Sequence, residues 1–89
     1  MARTYLEITF CNGKPFAAYL QLPRKPGDKA TRSKKAEAGM VIDFAADGRP
    51  IGIEITAPSA FSLDALNRVM ASLNLAPPSP SDIAPLIAA

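Results

Sequence analysis

The 89 residues contain no histidine, no tryptophan and a single cysteine. Without histidine the chain has no imidazole to hold zinc or to act as the base of a Ser-His-Asp triad. With one cysteine it has no intramolecular disulfide, and Cys11 fits a reducing compartment. Excess charge of one sign is also lacking. Ten Lys and Arg stand against eight Asp and Glu, and a balance of +2 does not by itself call for a polyanionic partner. Long apolar runs are missing as well. No run of about 18 apolar residues is present to span a membrane. Glu7 interrupts the apolar stretch a signal peptide needs after its basic start. The expectation is a cytoplasmic protein that uses no metal or other cofactor and does not enter a membrane.

What is present suffices for one core. Hydrophobic residues make up 48% of the chain, too many for wholesale disorder, and 89 residues leave no room for a second core. Residues 4–10 alternate, with Leu6, Ile8 and Phe10 on one face and Tyr5, Glu7 and Thr9 on the other, as in a half-buried strand. Residues 16–22 do the same with Phe16, Ala18, Leu20 and Leu22. Between them Asn12-Gly13 signals a hairpin. A two-residue loop would set Ile8 against Ala17 and split the apolar residues between two faces. A three-residue loop, Cys11 to Gly13, sets Ile8 against Phe16 and unites them. The hydrophobic pattern therefore predicts the three-residue loop, with Gly13 left-handed.

Residues 23–30 hold two prolines and a glycine and read as a loop. Residues 31–37 are polar and read as a short strand whose lysines suit a sheet edge. A second hairpin joins 40–45 to 50–56. A two-residue Asp47-Gly48 turn would pair Phe44 with Ile51, Ile42 with Ile53 and Met40 with Ile55, leaving Val41, Asp43, Gly52 and Glu54 on the opposite face. Residues 62–74 have helical spacing at Leu63, Leu66, Met70 and Leu73, with Ser62 as the cap, Asp64 at the positive end of the dipole and Asn74 as the stop. The expected fold is α+β. It is an antiparallel sheet of four to five strands, two hairpins plus a short polar strand, with one helix on its apolar face. The single domain is expected over 1–75, and a Pro-rich apolar tail over 76–89 carries Ile83, Leu86 and Ile87. Ile42, Phe44, Ile51, Ile53, Leu63, Leu66 and Met70 are expected to form one buried cluster.

The run Gly39-Met40-Val41-Ile42-Asp43-Phe44, followed by Asp47-Gly48 and Gly52-Ile53-Glu54-Ile55, resembles the hallmark of a family of small bacterial proteins known as domain of unknown function 2283. Upstream, Phe10 and Ala18-Tyr19-Leu20-Gln21-Leu22 are similar to the family's aromatic start and its Ala-Leu-Tyr-Ile strand. The resemblance covers roughly residues 5 to 60. It implies a small β-rich bacterial protein with no assigned activity. Because some members sit beside candidate toxin genes, it also implies an antitoxin-like partner role. Where the family has acidic residues, after the first aromatic and before the Ala-Leu-Tyr strand, this chain has Cys11 and Pro15-Phe16. No role of those acids is carried over.

Three functions are weighed. The absence of imidazole, of a metal motif and of a phosphate-cradling loop, together with the small core, favours a non-catalytic protein-interaction module. It is expected to associate with itself as a homodimer or higher oligomer, or with another protein. The alternative is an electrostatic nucleic-acid binder using Arg24, Lys25, Lys29, Arg32, Lys34 and Lys35, six cations in twelve residues. No aromatic residues interleave with them, so a solvated loop and edge is the preferred reading and nucleic acid is not the expected partner. The third is an enzyme using Asp43 and Glu54 on the polar face, with Glu7 beside them; the space over Gly52 is open equally to Tyr19 from a neighbouring strand or to another chain packing there.

Overall fold

Alternation carries five segments into one sheet. The computed structural model describes residues 4–37 and 39–87, the side chains of Pro15, Ser59 and Ile87 excepted. Its strands are β1 (Tyr5–Cys11), β2 (Lys14–Gln21), β3 (Arg32–Ala36), β4 (Met40–Phe44) and β5 (Pro50–Ile55). A 3-10 turn at Pro58–Ala60 leads to α1 (Leu63–Ser72) and α2 (Pro80–Ile87). The strand order is β1-β2-β5-β4-β3, antiparallel throughout. The two hairpins meet where β2 pairs with β5, Leu20 opposite Ile53 and Tyr19 opposite Glu54. One row across the inner face reads Leu6, Leu20, Ile53, Ile42, Lys34, and the next Ile8, Ala18, Ile55, Met40, Ala36. Among the described residues no helix is long and apolar enough to cross a membrane.

The first hairpin departs from expectation and shows why. Its loop has two residues, with Asn12 (φ 54°) and Gly13 (φ 76°) both left-handed, and Cys11 pairs with Lys14. Two left-handed residues in succession match the twist of the flanking strands, so turn chemistry decides the loop. A bulge then inserts Phe16 as an extra residue between Pro15 and Ala17. The bulge restores parity, so Ile8 meets Ala18 rather than Phe16, and Leu6 meets Leu20. Turn preference and hydrophobic pattern are both satisfied by one added residue. Phe16 is left 66% exposed and Phe10 59%.

The second hairpin shows the converse. Met40–Ile55, Ile42–Ile53 and Asp43–Gly52 pair as expected, but Phe44 faces Pro50 and Ile51 is the bulged residue. Gly48 N donates to Ala45 O, Ala45 N donates to Arg49 O, and Gly48 is left-handed at φ 89°. This is a three-residue loop, Ala46 to Gly48, followed by a bulge.

Ser62 caps α1 by accepting a hydrogen bond from Ala65 N at 3.2 Å. Asn74, at φ 58°, closes its other end. Leu75 N donates to Met70 O and Asn74 N to Ala71 O, the paired bonds of a left-handed helix stop. Ala65, Leu66, Val69 and Met70 face the sheet. Leu63, expected in the core, is turned about 90° from the centre of that stripe at 100° per residue, and it lies exposed. Ile51 is fully buried but stands outside the main cluster, which Ile42, Phe44, Ile53, Leu66 and Met70 do join. The expected single helix is accompanied by a second. In α2, Ile83 and Leu86 sit three residues apart and are both buried in that cluster. The side chain of Ile87 lies outside the described residues.

Candidate functional site

Among the described residues both α-helices bury their apolar side chains in the inner-face cluster, and the rows of the outer face follow from the register. One runs Tyr5, Gln21, Gly52, Asp43, Ser33, and its neighbour Glu7, Tyr19, Glu54, Val41, Lys35. Strand alternation thus brings Glu7 and Glu54 to either side of Tyr19, and Glu7, Thr9, Ala17, Tyr19 and Glu54 line a shallow groove of about 290 Å³.

Tyr19 leans from its own row over Gly52. A Cβ built at Gly52 would fall inside the Tyr19 ring and hydroxyl. Glycine within a strand leaves room for such close approach. The Tyr19 hydroxyl donates to Asp43 Oδ2 at 2.9 Å, and Ser33 Oγ donates to Asp43 Oδ1 at 2.7 Å. Burial, then the hydrogen bond and charge of Asp43, push the Tyr19 hydroxyl up to about 12, against a smaller opposing pull from Arg24. The phenol therefore keeps its proton through neutral pH, and both carboxylate oxygens of Asp43 are occupied. Glu54 lies one row away from Asp43 on the neighbouring strand, a diagonal of about 7–8 Å, and is exposed. The described residues hold no group of three His, Cys, Asp or Glu side chains able to hold a metal ion. Ser33 was not anticipated in the sequence. Its signal is the alternation of β3, which sets Ser33 opposite Asp43 once that strand pairs with β4.

The basic stretch is divided by the fold. Arg24 Nη2 donates to Ile51 O at 3.0 Å. The Arg32 guanidinium lies 4.8 Å above the centroid of the Phe44 ring. Lys34 pairs with Ile42 in the inner-face row, whereas Lys35 pairs with Val41 in the outer-face row. Lys25 and Lys29 are exposed in the loop before β3. Asp28 in that loop accepts from Arg49 at 2.9 Å, which ties the loop to the second hairpin.

Residues 17–58 match the model of a family described as protein of unknown function (DUF2283). The matched segment runs from β2 to the 3-10 turn, and it contains Tyr19, Ser33, Asp43, Gly52 and Glu54. β1 and both α-helices lie outside it. No curated protein and no solved structure matches the chain.

Proposed function

We propose that this chain, built around a DUF2283 segment, is a non-catalytic protein-interaction module that associates with itself. The observation that carries the reading is the placement of apolar surface. Four large apolar residues are exposed among those described, and Tyr5, Phe10 and Phe16 all belong to the first hairpin. Aromatic residues are what interfaces enrich, and the largest fully buried side chains are instead aliphatic residues and a methionine. The polar face supports the same reading. Its hydrogen-bonded cluster, Tyr19, Asp43 and Ser33, spends its hydrogen bonds on itself. A carboxylate with both oxygens engaged and a phenol held protonated are poor general bases. A second protein, in the antitoxin-like manner the family resemblance suggests, would use the same hairpin. Sedimentation of the full chain from low to high micromolar concentration tests the reading. The expected result is a mass that rises to twice that of the chain. A chain that stays monomeric at high micromolar concentration ends the self-association reading.

A further inference from the structure

The sheet has two edges of different character. β3 presents Arg32, Lys34 and Lys35, and lysine-rich edges discourage pairing with another strand. β1 reads Tyr-Leu-Glu-Ile-Thr-Phe-Cys, seven residues with one charge, no proline and no glycine. Among the described residues it pairs with β2 alone, so its other side has no strand partner. We propose that β1 pairs antiparallel with β1 of a second copy, about a twofold axis at Ile8, joining two five-stranded sheets into one of ten strands. This rests on the self-association reading and names its surface.

The register follows from parity and charge. A twofold axis normal to the sheet keeps the helices of both copies on one side, so inner-face residues must oppose inner-face residues. Only self-paired registers meet that condition. Centring on Glu7 sets two carboxylates directly opposite each other, which is repulsive. Centring on Thr9 moves Leu6 past the end of the strand, opposite Asn12. Centring on Ile8 pairs all seven residues: Tyr5 with Cys11, Leu6 with Phe10, and Glu7 with Thr9, each twice.

The same register gives Phe10 a place. Leu6, Ile8 and Phe10 share the inner face, yet burial falls from half-buried Leu6 and Ile8 to the exposed Phe10. Leu6 and Ile8 pack against the core cluster of the single chain, whereas Phe10 does not join it. In the paired sheet, Leu6 of the second copy lies beside Phe10. The exposed thiol of Cys11 comes to rest next to Tyr5, itself 47% exposed in the single chain.

Charge placed at exposed outer-face positions tests this in the full chain. Thr9→Glu sets a second carboxylate opposite Glu7 twice in each dimer and is expected to raise the dissociation constant roughly tenfold by sedimentation. Adding Glu7→Lys restores opposite charges and is expected to recover the original constant. Oxidation reads the register separately. In Cys11→Ser chains, Glu7→Cys mixed with Thr9→Cys is expected to cross-link between copies. Either alone is not, because its own copies stand on the diagonal at about 7–8 Å, beyond the reach of a disulfide. A dimer indifferent to Thr9→Glu, or Glu7→Cys chains that cross-link with themselves, overturns this interface and leaves self-association standing. A full chain that is monomeric throughout removes both.

Discussion

The space above Gly52 is the most constrained point of the outer face. It is occupied by Tyr19, whose hydroxyl reaches Asp43 across it. Gly52→Ala must displace that ring, and is expected to cost roughly 1–3 kcal/mol in urea unfolding, as overpacking does. Tyr19→Ala in the same chain empties the space, so the double variant is expected to lose less than the sum of the two single losses. Additive losses would mean that the two residues do not share the space. The proton on Tyr19 is the second prediction. With Tyr5→Phe, Tyr19 is the only tyrosine, and its absorbance titration is expected to centre at about 12. Asp43→Asn removes the carboxylate's share, so the midpoint falls while the share due to burial stays. A midpoint unmoved by that change would detach Asp43 from the phenol. The native pKa is raised above its unfolded value of about 10. The contribution to stability is therefore complete below pH 10 and lost as pH rises through about 12.

At the scale of elements, the two bulges are the informative features. In the first hairpin the two-residue loop that Asn12-Gly13 prefers conflicts with the register the apolar residues need, and inserting Phe16 in β2 resolves it; in the second, the bulged Ile51 in β5 offsets the three-residue loop and keeps the apolar pairs in register. The strands and their inner faces were legible from alternation, whereas the added residues follow only from summing two local preferences along a pair. α2 was legible as apolar residues but not as an element. Proline at 77, 78, 80 and 85 argues against helix, yet Pro80 stands at its first position, where no N–H is needed. Ile83 and Leu86 then repay the interior Pro85 by burial. Ile83→Ala is expected to cost about 2–5 kcal/mol, as for a fully buried branched side chain. A chain ending at Ala76 is expected to unfold at distinctly lower urea. An unchanged midpoint for that truncated chain would show that α2 contributes nothing to the core.

For the molecule as a whole, two arginines tie together segments distant in sequence. Arg49 bonds Asp28 and Asp47, and Arg68 bonds Glu37 through both carboxylate oxygens, linking α1 to the turn before β4. These hydrogen bonds hold the carboxyls of Asp28, Asp47 and Glu37 below their usual range. A depressed native pKa contributes stability above the unfolded value, near pH 4, and loses it as pH falls through the native one. The urea midpoint is therefore expected to fall between pH 5 and pH 3. In a chain carrying Arg49→Met and Arg68→Met that fall is expected to shrink. Equal pH dependence with and without the arginines would assign acid sensitivity to other carboxylates. Arg68–Glu37 and Arg49–Asp47 are open to solvent, so their contributions are small, whereas Asp28 is mostly shielded in its pair with Arg49.

Alternation and capping are properties of adjacent residues, and they were readable one segment at a time. They identified the strands, the inner-face residues Leu20, Ile42 and Ile53, and the helix that starts at Ser62 and stops at Asn74. They also set Asp43 opposite Gly52. The pairing of β2 with β5, which places Glu54 beside Tyr19 and carries the Tyr19 ring over Gly52, is a contact between residues more than thirty positions apart. No local period encodes it. It is decided by which arrangement buries the apolar stripes of both hairpins under one helix layer. The burial of α2 was decided in the same way, because α1 alone is narrower than five strands and the uncovered stripe of β1 needed a second cover.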